Sequence, residues 1–193
     1  MTKFQPITYD PVHHDYLTLG EKIGNAFKVG IQLKYMIQIK FRFAEEKDAA
    51  KILYFIKELA AYEKMSDEVI ATEELLKEWI FEQKKAEVIF AIVDNKEIGF
   101  ALFFHKFSTF LGRAGINLED LYVMPEYRGK GYGKALLKKL AQIAVERKCG
   151  RLEWWCLDWN QPSIDFYLSL GAEAMDEWTV YRIAGEKLTE FAK

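Results

Sequence analysis

The sequence predicts an α/β fold, of the α+β kind, in which short strands and amphipathic helices follow one another in one domain. Two observations predict it. The 193 residues are 50% hydrophobic and 29% charged, which is enough to bury a core of ordinary size. Apolar runs of strand length alternate with segments in which apolar residues recur at helical spacing, in the order βααββ, βα, βα, β.

The first clear strand begins at Met36. Over residues 37–43 apolar side chains alternate with polar ones, which is typical of a half-buried strand. Residues 1–35 show no sustained period. We therefore expect residues 1–35 to be an N-terminal extension and residues 36–193 to form the domain.

Two helices are predicted after this strand. Asp48 precedes the first, whose apolar face consists of Ala49, Ile52, Leu53, Ile56, Leu59 and Ala60. The second follows Thr72, a predicted N-cap, and its apolar face consists of Leu75, Leu76, Trp79 and Ile80.

The rest of the chain alternates strands and helices. Apolar runs 87–93 and 97–107 favour an antiparallel hairpin, and a further strand is expected at 116–124. A helix that ends at Gly150 leads to a strand at 151–158. A proline-opened helix then ends at Gly171, and a strand at 178–183 and a short terminal helix close the fold.

Composition argues against several classes of function. The net charge of -2 and the lack of a clustered basic face do not favour a nucleic-acid partner. The longest apolar stretches, 88–93 and 98–104, are far shorter than the roughly 20 residues of a membrane helix. Cys149 and Cys156 are too few for a disulfide framework and too far apart for a zinc pair. We expect a cytoplasmic protein with no metal site.

The segment Arg128-Gly129-Lys130-Gly131-Tyr132-Gly133 carries the clearest chemical signal. Alternate glycines allow consecutive backbone N–H groups to turn toward one anion, and the predicted helix behind them adds its dipole. Arg128, Lys130 and Lys134 add positive charge. This combination predicts a phosphate-binding loop.

Two better-known phosphate loops do not fit the spacing. A Walker loop requires Ser or Thr after Gly-Lys, but Ala135 follows Gly133-Lys134. A dinucleotide-binding loop requires G-x-G-x-x-G, whereas here the glycines fall at 129, 131 and 133. A glycine-rich turn without a ligand is the other alternative, although such turns seldom combine three glycines with three cations.

The loop resembles the R/Q-x-x-G-x-G/A segment of the GNAT superfamily of acyl-CoA N-acyltransferases. Two flanking segments resemble one branch of it, the diamine (spermidine/spermine) and thialysine N-acetyltransferases. These are Leu118-Glu119-Asp120-Leu121-Tyr122-Val123-Met124-Pro125-Glu126-Tyr127 and Leu157-Asp158-Trp159-Asn160-Gln161-Pro162-Ser163-Ile164-Asp165-Phe166-Tyr167. The resemblance implies acetyl-CoA as the cofactor and a primary amine of a small cationic acceptor as the substrate.

The resemblance also implies a fold and a cofactor site. The expected fold has a central mixed, mostly antiparallel sheet of about six to seven strands flanked by helices, with a splayed strand pair that forms the acyl-CoA wedge. A bulge is expected near residues 121–123. The expected cofactor contacts are Leu121, Tyr122, Val123, Arg128, Gly129, Lys130, Gly131, Tyr132, Gly133, Lys134, Asn160 and Tyr167.

Acetyl transfer to an ammonium needs a base for the amine and an acid for the departing thiolate. The resemblance implies that Tyr167 is the acid, since a phenol stays protonated at neutral pH. Glu119 is the expected base, directly or through water. His13, His14 and His105 are not expected to be catalytic.

The resemblance further implies an acceptor slot of carboxylates and aromatic rings that suits a cation. Its expected residues are Tyr62, Glu63, Glu119, Asp120, Trp159 and Asp176. The polyamine enzymes of the branch carry an extra acid in the loop before the Glu-Asp pair, where this chain has Arg113 and no acid. An acceptor with its own carboxylate, such as lysine, ornithine or thialysine, would tolerate Arg113 better.

Three alternatives stay open at the level of sequence. The acceptor could be a protein lysine or N-terminus, or the chain could be a non-catalytic acyl-CoA-binding module. A covalent route through Cys156 is a further option, although direct attack in a ternary complex needs neither cysteine. A homodimer is expected by analogy with the branch.

Overall fold

The computed structural model describes residues 39–193. The chain divides into two compact units, one that ends at Glu153 and one that spans Trp154–Lys193. The predicted extension, residues 1–35, and the predicted start of the first strand at residues 36–38 lie outside the described residues.

The first unit contains most of the secondary structure. In chain order its elements are β1 (Lys40–Phe43), α1 (Ala49–Tyr62), α2 (Glu73–Leu76), β2 (Glu87–Val93), β3 (Lys96–Ser108), β4 (Arg113–Val123), α3 (Tyr132–Glu146) and the start of β5 (Leu152–Trp154). Short 3-10 turns lie at Glu46–Asp48, Ser66–Glu68 and Pro125–Tyr127. The predicted strands, hairpin and helices of this part of the chain are present.

The five strands form one sheet in the order β1-β2-β3-β4-β5. Strands β1 to β4 pair antiparallel. The Gly150 N–H donates to the Ala114 carbonyl and the Ile116 N–H donates to the Arg151 carbonyl, so the residue numbers rise together and β5 runs parallel to β4. A helical crossover such as α3 is what a parallel connection requires. The predicted mixed, mostly antiparallel arrangement is confirmed, but the described sheet has five strands instead of about six to seven, because segment 178–183 does not form a strand.

The core lies between α1 and one face of the sheet. Phe55 of α1 is fully buried and stacks on Phe100 of β3, with 5.3 Å between the ring centroids. Phe90 and Tyr122 each lie 6.1 Å from Phe55. Because truncation of a buried Phe costs about 3–5 kcal/mol, this cluster fixes α1 on the sheet. It thereby also fixes the C-terminal end of α1, where two predicted acceptor residues lie.

The second predicted helix begins as expected but changes its winding. The Thr72 hydroxyl accepts a hydrogen bond from the Leu75 N–H at 3.3 Å, which confirms the predicted N-cap. From Lys77 to Glu82 the backbone is a π-helix. Trp79 is 50% exposed, whereas the neighbouring Ile80 is buried. The prediction that both lie on one apolar face is therefore wrong.

The second unit contains α4 (Gln161–Ser169) and α5 (Glu186–Phe191). Pro162 lies in the first turn of α4, as predicted, and Gly171 after its end has a φ of +83°. The predicted strand at 178–183 is absent from the described structure. Tyr181 there is 92% exposed. Strand preference depends on pairing and packing with a neighbour, so the apolar pattern alone does not make a strand.

Candidate active site

The glycine-rich loop follows β4 and a 3-10 turn, and it ends where α3 begins. Gly129 has a φ of +72° and Gly131 a φ of +83°, a left-handed conformation that favours glycine. A Cβ atom added at either position would meet no heavy atom within 4 Å. The glycines are therefore needed for the backbone angle, and the space in front of the loop is open.

The loop presents backbone N–H groups at the N-terminus of a 15-residue helix. The first intrahelical hydrogen bond runs from the Ala135 N–H to the Gly131 carbonyl at 3.0 Å. The N–H groups of Tyr132, Gly133 and Lys134 precede that bond, so helix geometry gives them no partner within the helix. Such donors, together with the helix dipole, favour an anion, and a diphosphate fits this arrangement.

Two of the loop cations interact with the protein itself. The Arg128 Nε donates to the Val123 carbonyl at 2.8 Å, and the Lys130 Nζ donates to the Glu126 carbonyl at 2.9 Å. The Lys130 Nζ also lies 5.4 Å from the centroid of the Tyr127 ring. The exposed Lys134 lies in the first turn of α3. The main chain therefore supplies much of the anion site.

The edge of β4 that faces β5 offers further main-chain groups. On the C-terminal side of a change in register between β3 and β4, the Met124 N–H donates to the Ile98 carbonyl of β3 at 2.9 Å. Antiparallel pairing alternates, so Tyr122 also bonds to β3, while the N–H and C=O groups of Leu121 and Val123 point the opposite way. Tyr122 has its side chain in the core, where its hydroxyl donates to Glu58 at 3.3 Å. Neither its side chain nor its main chain faces the open edge.

The register change is a β-bulge at Glu119. Leu102 of β3 pairs with Asp120 and the next residue, Phe103, pairs with Leu118, so Glu119 is the extra residue of β4. Before the bulge, Ala114 and Ile116 bond toward β5; after it, the odd-numbered residues point that way. The bulge was predicted near residues 121–123, and that position is wrong by two residues. The bulge nevertheless leaves the main-chain N–H and C=O groups of Leu121 and Val123 pointing away from β3.

Three carboxylates interact near the bulge: Glu63, Glu119 and Asp120. Loss of hydration, together with the charges of Glu119 and Glu63, raises the pKa of the half-buried Asp120 to about 7. Burial also raises the pKa of Glu63, the residue that caps the C-terminal end of α1. A carboxyl group with a pKa near neutrality can accept a proton from a bound ammonium at physiological pH.

Sequence reasoning named Asp120 as an acceptor contact but did not anticipate its raised pKa. Its cause is burial beside a bulge, which has no signature in the sequence. Glu58 was missed altogether. It lies one helical turn before Tyr62 on α1, and this i, i+4 spacing could have identified it as a neighbour of the acceptor residues.

Arg113 lies at the opposite end of β4 from the acidic residues. Glu119 is six positions further along the strand, which corresponds to about 20 Å at the usual rise of a strand. Over that distance a surface charge is largely screened. The expectation that Arg113 favours an acceptor with its own carboxylate is therefore not supported within one chain.

The second unit holds the other four predicted residues. Tyr167 of α4 is half-buried, with its ring centroid 5.0 Å from Trp154 and 5.3 Å from Phe166. Asn160 is buried, and its carbonyl accepts from Ser163 and Ile164 at the start of α4. Trp159 is 52% exposed. Asp176 lies in an exposed turn.

The other candidates are one histidine and two cysteines. His105 lies in β3, with its Nε2 atom 3.5 Å from the Arg147 Nη1 atom. Cys149 and Cys156 are both half-buried. Among residues 39–193 no helix combines the length and apolar character that crossing a membrane requires.

Comparisons with known proteins agree with this geometry. The sequence pattern of the Acetyltransferase (GNAT) family matches residues 52–172. The thialysine N-epsilon-acetyltransferase of Bos taurus is 38% identical over 169 residues, which cover 81% of this chain and 99% of that protein. The spermidine/spermine N(1)-acetyltransferase-like protein 1 of Homo sapiens is 32% identical, over 84% of this chain and 25% of that one.

Solved structures share the fold. An integron cassette protein from V. cholerae superimposes with a TM-score of 0.69 and 30% identity, over 80% of this chain and 98% of its own.

Proposed function

This chain belongs to the GNAT acetyltransferase family and is an N-acetyltransferase, and from that premise we propose that it acetylates a primary amine of a small cationic acceptor with acetyl-CoA. The acceptor class comprises diamines, polyamines and lysine-like amino acids such as thialysine. The reaction proceeds by direct attack in a ternary complex.

The backbone of residues 129–134 at the N-terminus of α3 carries the proposal. Its N–H groups, which helix geometry leaves without intrahelical partners, and the left-handed glycines provide a site for the diphosphate of coenzyme A. The outward-facing main-chain groups of Leu121 and Val123 would hold the amides of the pantetheine arm. When bound, the cofactor supplies the activated acetyl group. Asn160 and Trp159 of the second unit are proposed as further contacts.

The acidic residues are proposed to receive the acceptor. Glu63, Glu119 and Asp120 attract a cationic amine electrostatically, and Tyr62 offers a ring for cation–π contact. Asp120 is proposed as the proton acceptor, because its raised pKa of about 7 makes it a stronger base than a fully hydrated carboxylate. Glu119 then holds the ammonium, and Asp176 is proposed to contact the far end of the acceptor.

Tyr167 is proposed as the general acid. The ammonium loses two protons on the way to the amide, the first to Asp120 before its nitrogen attacks the acetyl carbon and the second as the C–S bond breaks. The departing thiolate gains one proton from the Tyr167 phenol, which recovers it from the nitrogen, and Asp120 releases the other to solvent. Neither step requires a thiol of the protein, so Cys156 has no role in the reaction.

The decisive experiment measures thiol release from acetyl-CoA with a panel of diamines, polyamines, lysine, ornithine, thialysine and lysine-containing peptides. We expect turnover with the small cations and kcat/KM at least ~10²-fold lower with the peptides. Preference for the peptides would transfer the proposal to a protein acceptor. Binding of acetyl-CoA without turnover on any amine would make the chain a binding module.

We also propose that the protein is a cytoplasmic homodimer, as the diamine and thialysine acetyltransferase branch implies. Light scattering after size-exclusion chromatography measures the mass directly, and the monomer mass of 22.5 kDa would contradict a dimer.

A further inference from the structure

The side chain of Arg128 makes contacts within the protein that the binding of a phosphate group would not require. Its Nε donates to the Val123 carbonyl at 2.8 Å. Its guanidinium carbon lies 4.8 Å from the centroid of the Tyr62 ring and 5.2 Å from that of Tyr122. Arg128 therefore joins the loop, the end of β4 and the end of α1.

We propose that Arg128 is a positioning residue, which fixes Tyr62 on the acceptor side and the main chain of Val123 on the donor side, and is not a ligand of the diphosphate. This inference rests on the proposed function and assigns a different task to one residue of its loop.

The contacts of Arg128 are ones that its planar guanidinium suits and that an ammonium would not reproduce. The group stacks on aromatic rings while one of its N–H groups donates in its own plane. Tyr122, on which it stacks, is itself held by the hydrogen bond from its hydroxyl to Glu58 at 3.3 Å. Tyr122 is thus held in the core at 4% exposure, whereas the Tyr62 ring, at 36%, and Arg128 itself are exposed.

The hydrogen bond to Val123 has a second consequence. The Val123 carbonyl points away from β3 and is already an acceptor for Arg128, so the Val123 N–H is left as the outward donor at this position. Loss of Arg128 would remove one contact from the end of β4 and one from the Tyr62 ring. The effect would reach the acceptor side as well as the donor side.

Two donors distinguish positioning from phosphate binding. Acetyl-CoA carries the diphosphate, whereas S-acetylpantetheine lacks it. We expect Arg128→Met to lower kcat/KM for the amine roughly tenfold or more with both donors, the size expected for one cation–π contact and one hydrogen bond. The dissociation constant of CoA, measured by calorimetry, should rise by no larger a factor than that of pantetheine, which keeps the arm beside Val123 and lacks the diphosphate.

Arg128→Lys gives an independent comparison, because it keeps the charge and loses the planar group. A positioning role predicts that Lys does not restore kcat/KM for the amine with acetyl-CoA, whereas a phosphate ligand predicts substantial recovery. Lys138→Met removes one exposed charge in the second turn of α3 and therefore controls for the change in net charge. Equal Tm values of the variants control for folding.

The outcomes separate the two hypotheses. A loss confined to acetyl-CoA, a larger increase in the dissociation constant of CoA than of pantetheine, or recovery in Arg128→Lys would overturn the positioning role. If the unmodified protein releases no thiol from acetyl-CoA with any amine, the proposed function fails instead.

Discussion

At the scale of single residues, Glu119 and Asp120 are adjacent and chemically alike, yet their surroundings differ. Glu119 is the extra residue of the bulge and is exposed, whereas Asp120 is half-buried beside Glu63. Burial penalises a carboxylate, and two like charges nearby add to the penalty. A proton acceptor suited to neutral pH thus arises from position, not from residue type.

The first prediction concerns the pH dependence of Asp120. With a pKa of about 7, Asp120 accepts a proton only above that pH, so kcat/KM should rise up to pH 7 and then level off. Asp120→Asn should lower kcat/KM by ~10²–10⁴ and abolish the bend. Steady-state rates from pH 5.5 to 9 measure both effects. Glu119→Gln is the matched control: we expect it to raise the KM of the amine and to keep the bend. A bend that survives in Asp120→Asn would assign the base elsewhere.

The raised pKa of Asp120 also predicts that replacement of its carboxyl group stabilises the fold. The folded-state pKa of about 7 lies above the ordinary value of 3.8, so Asp120 favours folding at low pH and this contribution is lost as the pH rises through 7. Asp120→Asn removes the buried charge and should raise Tm most above pH 7 and less at pH 5. Thermal unfolding at the two pH values measures the difference. A Tm gain that is the same at both would exclude the linkage.

A third prediction tests the proposed acid. Tyr167→Phe removes one hydroxyl and keeps the ring that packs near Trp154 and Phe166. Turnover should fall ~10²-fold or more, on the scale of general acid catalysis, with little change in the affinity for acetyl-CoA. Near-normal turnover in this variant would remove Tyr167 from the role.

At the scale of elements, the loop was predictable and the bulge was not. Alternate glycines followed by an amphipathic segment specify left-handed turns and a helix N-terminus, so the backbone of the loop, on which the proposed phosphate site rests, could be inferred from spacing. The bulge at Glu119 depends on the register between β3 and β4, which no residue of β4 encodes by itself. The change to a π-helix at Lys77 likewise has no sequence signal.

The loop provides a fourth prediction. Gly131→Ala places a Cβ on a residue with a φ of +83°, which costs about 1–2 kcal/mol and shifts the N–H groups in front of α3. The KM of acetyl-CoA should rise along with a fall in Tm. Gly112→Ala is the matched control, since Gly112 has a φ of +61°, equally open space and a place in the β3–β4 turn. It should lower Tm comparably and leave the KM of acetyl-CoA unchanged. Equal KM values in the two variants would contradict a cofactor-binding role for the loop.

At the scale of the whole molecule, the parts predicted correctly are those whose pattern is local. The strands β1 to β4, the hairpin and the amphipathic helices each carry their own periodicity, so their order followed from the sequence. Segment 178–183 has the apolar content of a strand but no paired neighbour in the described structure, and there the prediction failed. The proximity of Glu63 to Asp120 could come from the family resemblance but not from spacing, because it requires α1 to pack on β4.

The last prediction concerns the extent of the catalytic domain. The bovine thialysine N-epsilon-acetyltransferase aligns over 99% of its length with 81% of this chain, a share close to that of residues 36–193. A protein that starts at Met36 should therefore contain the five described strands, the loop and the proposed catalytic residues, with β1 paired to β2. We expect its kcat/KM and Tm to equal those of the full chain. The comparison needs both proteins at equal concentration, with the acceptor and acetyl-CoA varied separately. A higher acceptor KM or a lower Tm in the shortened protein would show that residues 1–35 contribute to the site or to the fold.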